Sequence, residues 1–260
     1  MKLAAGITAI MMLNVFNAPH AEVHVAATCS ASSGAQRVAL LELYTSEGCD
    51  SCPPVEHWVS VLPARGLSTD RVITLAYHID YWNYLGWRDP FAQARFTERQ
   101  RFVNARIGNR TIYTPQLILD AKDYRRSGLR DDFVERIAAL NREKPGADIA
   151  LSMTSSGGAI DASARITLHR KDAGAAVFIA LYENKLANQV NAGENKGKRL
   201  EHDFVVRELA GPFAVDARPA ISHKFKVAPS WKTRDLVVAA FVQTAATGAV
   251  LQALALPWCG

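Results

Sequence analysis

The 260 residues carry 30 Lys and Arg against 25 Asp and Glu, a formal charge of +5. The basic residues are scattered and runs such as "YRR" and "KGKR" are short, so they read as solvated faces and exclude a nucleic-acid-binding stripe. The length suits one large core or two small ones, and two are expected.

The chain opens with Lys2, an apolar run from Leu3 to Phe16, and small residues at Val25-Ala26-Ala27, the pattern of a cleaved secretory signal over residues 1–27. The run is about 14 residues, short of the roughly 20 that cross a bilayer as a helix. No stable membrane span is therefore expected after processing, and the location implied is the bacterial envelope, periplasmic or secreted. A retained anchor is the weaker alternative. Lipidation at Cys29 is weaker still, because Thr28 stands where a small residue is needed.

All four cysteines, Cys29, Cys49, Cys52 and Cys259, survive that cleavage, and four cysteines allow three connectivities. Chain ends often lie close together on domain surfaces. In an oxidising compartment the economical pairing is a structural clasp between Cys29 and Cys259, leaving Cys49 and Cys52 to each other. Such a clasp closes nearly the whole chain, and the lost chain entropy stabilises by roughly 4 to 5 kcal/mol, less any strain.

Residues 38–43, "VALLEL", form a nearly unbroken apolar run of strand length, as a buried parallel strand requires. It ends at "YTSEGC". Val55, Val59 and Leu62 then recur at helical spacing, predicting a helix that starts near Cys52 and covers a sheet. A second strand over 71–78 follows. The segment "RDPFAQARFTERQRFVNARIG" puts Phe91, Ala94, Phe96, Phe102, Val103 and Ile107 on an irregular helical face. "IYTPQLILD" reads as a strand with a proline near its start and "AKDYRRSG" as a turn and returning strand. Leu129, Phe133, Ile137 and Leu140 predict an amphipathic helix ending before Pro145-Gly146.

After Gly146 the texture changes. "GAIDASARITL" alternates apolar and polar residues, and strand-like runs recur at "AAVFIALYE", "HDFVVREL", "SHKFKVAP" and "LVVAAFVQ". The expectation is an α/β domain over 28–145 followed by a mainly antiparallel, sandwich-like β domain over 146–260. The long polar stretch "NKLANQVNAGENKGKRLEH" is either a mobile hairpin or a functional loop.

A cysteine pair at the first strand-to-helix junction, in the order β-α-β-α-β-β-α, resembles the thioredoxin fold. That resemblance makes Cys49 the attacking nucleophile and Cys52 the resolving thiol. It also places a cis-proline opposite the pair, a position matched here by Pro115 after Thr114. A helix N-terminus stabilises thiolate. Pro53 and Pro54 remove two donors from the first turn but leave the Cys52 amide free to hold a Cys49 thiolate.

Two other readings of the pair stand beside the redox one: an inert disulfide, and half of a thiophilic metal site completed by His57 or His78. No second C-x-x-C exists for a tetrahedral zinc site. No metal ligand set or cofactor is assigned. The stretch "YHIDYWNYLGWRDPF" lies at the carboxyl end of the second strand, where ligands gather in open α/β sheets. Asp80 and Trp82 are candidate substrate-binding residues there, alongside Thr114 and Pro115; the plainer reading is that the aromatics plug a junction and Asp80 caps a turn. Asp80 or Glu47 is a candidate to assist proton transfer.

The motifs "LELYTSEGCDSCPP", "HIDYWNYLGWRDPF", "RIGNRTIYTPQLILD" and "GENKGKRLEHDFVVREL" together resemble a family of secreted bacterial proteins named only as domain of unknown function 1223. The resemblance runs from about Val38 to Trp258. It implies a thioredoxin-like amino-terminal domain, a β-rich partner and an envelope location. One departure is Gly48, which stands where thioredoxins usually carry tryptophan. The function expected is thiol-disulfide oxidoreduction, with a protein or small thiol or disulfide as substrate and a redox partner that recycles the pair. The alternative is a non-enzymatic ligand- or metal-binding envelope protein in which the C-x-x-C disulfide is structural.

Overall fold

The computed structural model describes residues 28–125, 132–170, 174–215 and 220–259. Residues 1–27, expected to form a secretory signal, and Leu129 lie outside these residues. The described chain is mostly β, arranged in several sheets. In the first half, β1 (Thr28–Ser32) is followed by β2 (Ala39–Thr45), α1 (Cys52–Ser60), β3 (Val72–His78), α2 (Ala94–Arg106), β4 (Gln116–Leu119), β5 (Lys122–Asp123) and α3 (Phe133–Arg142). The strands β6 (Ala147–Ser156), β7 (Ala159–Leu168), β8 (Ala175–Glu183), β9 (Leu186–Gln189), β10 (Arg199–His202), β11 (Val205–Ala214), β12 (Ala220–Lys226), β13 (Leu236–Thr244) and β14 (Val250–Pro257) complete it.

Every residue of β2 and β3 is buried, which explains why neither strand alternates in sequence: layers cover both faces. The two run parallel, and β4 pairs antiparallel with β2. Hydrogen bonding then crosses residue 145. β11 runs parallel to β3 through Val205 opposite Ala76, and β8, β13 and β14 extend the same sheet to eight strands, in the order β14-β13-β8-β11-β3-β2-β4-β5. β1 belongs to a separate four-stranded sheet, β1-β6-β7-β12.

The eight-stranded sheet is the central layer. Along β8, Val177, Ile179 and Leu181 face the four-stranded sheet with Ile149, Ile160 and Ile166, while Phe178, Ala180 and Tyr182 share the other core with Leu43, Tyr77 and Phe96. This is the period of two acting on a strand apolar on both sides. Among the described residues no helix is long and apolar enough to cross a membrane.

α2 departs from the expected face. Phe102 is exposed and Phe91 precedes the helix, while Arg99, Gln100 and Asn104 turn inward. Each finds partners. Arg99 Nε donates to Glu42 at 2.7 Å and its guanidinium lies 4.8 Å from the Phe178 ring centre. The amides of Gln100 and Asn104 both donate to Gln116 Oε1 at 2.9 Å. Buried polar groups survive where they are hydrogen-bonded, and apolar periodicity is blind to them. The amide network also seats the start of β4, directly after the cis Thr114–Pro115 peptide.

Candidate functional site

Cys49 and Cys52 are joined by a disulfide where β2 hands over to α1. Ser46 accepts the Cys49 amide at 3.2 Å, and the Cys52 amide donates to the Cys49 carbonyl at 3.3 Å. That last bond closes a tight turn and takes up the amide expected to be free for a thiolate. Pro53 and Pro54 sit in the first helical turn, where the missing N–H groups have no intrahelical acceptor in any case. Cys49 Sγ lies 3.3 Å from Ser51 Oγ.

The pair is enclosed: Cys49 is 1% and Cys52 0% exposed. The cover is the β9–β10 hairpin and its connecting loop. Asn195, itself fully buried, donates from Nδ2 to the carbonyls of both Glu47 and Cys49 at 2.9 Å. The Asp50 amide donates to Glu194 at 3.0 Å. Gly193, in the left-handed region at φ +72°, lets the loop pass Trp87: a Cβ there would lie 3.2 Å from Trp87 Cβ.

The proposed substrate contacts fall into two groups. Trp82 Nε1 donates to Thr114 Oγ1 at 2.6 Å, and Trp82 Cβ would lie 2.9 Å from a Cβ on Gly48. Trp82, Thr114 and the loop carrying Pro115 thus gather beside the residue before Cys49. Asp80 does not join them; its carboxylate accepts from Thr97 Oγ1 on α2 at 2.6 Å. Glu47 is buried and fully engaged, Oε1 accepting from His202 Nε2 at 3.0 Å and Oε2 from Trp87 Nε1 at 2.8 Å and Asn188 Nδ2 at 2.9 Å. It anchors the hairpin rather than standing free as a base. The second disulfide joins Cys29 in β1 to Cys259 after β14.

Behind the pair lies a cluster that local spacing did not announce. His57 is exposed on the outer side of α1, whereas Glu56, four residues after Cys52 and on the same helical face, is buried. Glu56 meets His78 from the end of β3 and His202 from the end of β10, one ligand-type atom of each lying within 4.8 Å of the others. Thr45 Oγ1 donates to Glu56 Oε1; Glu56 Oε2 meets His202 Nδ1. His78 Nδ1–H donates to Asp89 Oδ2 at 2.7 Å, and Asp89 is held in turn by the amides of Glu47 and Phe91, each at 2.8 Å. His78 Nε2 is buried without a hydrogen-bond partner among the described residues. Burial disfavours the charged form of His202, but Glu56 and Glu47 outweigh it and push the imidazole up to about 10. Burial likewise raises Glu56, and the facing histidines outweigh it to hold the carboxyl low. The only sequence signals for this cluster were the "HIDYW" and "KRLEH" motifs that carry His78 and His202.

The family described as "Protein of unknown function (DUF1223)" matches residues 40–243. No curated protein matches. Among solved structures, the crystal structure of protein AGR_C_4864 from Agrobacterium tumefaciens is 26% identical with a TM-score of 0.61, covering 86% of this chain and 96% of that one. HBP35 of Porphyromonas gingivalis is 14% identical with a TM-score of 0.65, covering 86% of this chain and 76% of its own; at that identity the likeness is one of fold.

Proposed function

We propose that this chain, which belongs to the DUF1223 family, is a thiol-disulfide oxidoreductase of the bacterial envelope, its Cys49–Cys52 pair presented by a thioredoxin-like unit. The observation that carries the reading is the position of the disulfide. It sits at the amino end of α1 and the carboxyl end of a buried parallel strand, beside the Trp82–Thr114 contact that leads into Pro115. The order β2-α1-β3-α2-β4-β5-α3, with β2 and β3 parallel and β4 and β5 antiparallel, supports the thioredoxin-like assignment. The two disulfides support an oxidising compartment.

In the oxidised direction a substrate thiolate attacks Cys49 Sγ. The Cys49–Cys52 bond breaks and a mixed disulfide forms, with Cys52 leaving as thiolate. A second substrate thiol then attacks the substrate sulfur of that mixed bond, releasing Cys49. The substrate leaves as a disulfide, and the two electrons and two protons remain on the reduced pair. The reverse sequence reduces a substrate disulfide, and the potential of the pair selects the direction. Because Cys49 is shielded, either direction requires the β9–β10 hairpin to lift.

A second reading, a structural disulfide bracing a ligand-binding surface, is favoured by the near-complete burial of both cysteines. Equilibration in glutathione or dithiothreitol buffers with thiol trapping separates the two. An exchange catalyst has a potential between about −120 and −270 mV; a structural bond stays oxidised below about −300 mV. Cys49→Ser should abolish exchange while leaving the far-UV circular dichroism unchanged, and an undiminished exchange rate in that variant would refute the proposal.

A further inference from the structure

We propose that Glu56, His78 and His202 form a binding site for a divalent first-row transition-metal ion, buried behind the Cys49–Cys52 turn. Three elements supply the ligands, α1, β3 and β10, and their donor atoms already lie within 4.8 Å of one another. All three side chains are buried. A fully solvated acidic patch would show neither feature.

The arrangement around each ligand is what a metal site requires. Metal-bound histidines turn their other ring N–H onto a carboxylate, and ligating carboxylates are themselves hydrogen-bonded. Here Asp89 holds Nδ1 of His78, Glu47 holds Nε2 of His202, and Thr45 holds one oxygen of Glu56. The atoms that these contacts leave for an ion are His78 Nε2, His202 Nδ1 and Glu56 Oε2. Among the described residues His78 Nε2 has no hydrogen-bond partner, although the residue is 1% exposed. A buried ring nitrogen without a partner is costly, and coordination would satisfy it. The direct contact between His202 and Glu56 holds these two together in the ion's absence and would open to admit it.

Two imidazoles and one carboxylate select zinc, iron or a neighbouring ion over calcium and magnesium, which take oxygen ligands. Three protein ligands leave further positions for water or a bound molecule. The ion would tie the hairpin strand β10 to β3 and to α1, the helix that begins at the disulfide.

The test uses the processed chain with both disulfides intact, so its outcome is independent of whether the pair exchanges. Chelator-stripped protein is titrated with Zn²⁺ by calorimetry and with Co²⁺ by visible absorption. Expected are one ion per chain and a Co²⁺ spectrum of nitrogen and oxygen coordination without thiolate charge transfer. His78→Ala and His202→Ala should each weaken binding by more than about 100-fold, and Asp89→Asn by about 10- to 100-fold. His57→Ala, on the exposed side of the helix, should bind as the parent does. Should either alanine variant fail to fold, Glu56→Gln, which keeps the side-chain shape, takes its place. Absence of binding by the stripped parent, or parental affinity in the folded ligand variants, would overturn the proposal.

Discussion

At Gly48 the backbone has no room for a side chain, because a Cβ would stand 2.9 Å from Trp82 Cβ. The space beside the residue before Cys49 is filled by Trp82, reaching in from the β3–α2 connection. Gly48→Ala should cost about 1–3 kcal/mol through overpacking, read as a lower urea midpoint; an unchanged midpoint would mean that Trp82 moves aside freely. The cysteine spacing was plain in the sequence, whereas His78 was weighed only as a residue that could complete a metal site on the cysteine pair. Glu56 and His202 were not, since they meet across 146 positions and no local period encodes such a meeting. His57, five residues beyond Cys52 and more than one helical turn away, had the weaker claim and reads as a surface histidine; helical geometry turns it outward while Glu56, one residue earlier, faces in.

The β9–β10 hairpin is the element on which access to the disulfide depends. Its sequence, polar and rich in Asn, Gly and Lys, marked it as a mobile hairpin or a functional loop but not what it covers. The structure lays it over Cys49 through two hydrogen bonds from the buried Asn195 amide. Asn195→Ala removes both, and at about 1 kcal/mol each the open population should rise about ten- to thirtyfold. The predicted result is faster reduction of the Cys49–Cys52 pair by dithiothreitol, with Cys29–Cys259 unaffected. An unaltered rate in a folded variant would show that something else shields the pair. α2 teaches a related lesson: it was legible as a helix, but its inner face was not, because Arg99, Gln100 and Asn104 are buried by virtue of partners on distant strands.

Across the whole molecule, the clasp between Cys29 and Cys259 spans a sequence separation of 230. It ties β1 of the four-stranded sheet to the residues after β14, an edge strand of the eight-stranded one. Replacing both cysteines by serine should lower stability by about 5 kcal/mol or less, measured as a drop in thermal midpoint; a midpoint equal to the parent's would indicate that sheet pairing alone holds the ends. The apolar runs, the alternation after Gly146, the cysteine pair and the family motifs were all determined by the sequence itself, because each is local and rests on short-range periodicity or fixed spacing. Which strands become neighbours was not. Pairing between β3 and β11, the shared eight-stranded sheet and the meeting of Glu56, His78 and His202 were decided only by the tertiary structure. They depend on backbone hydrogen bonds and burial between segments far apart in sequence, Ala76 with Val205 and Glu56 with His202 among them, whose partners are chosen by packing the whole chain at once.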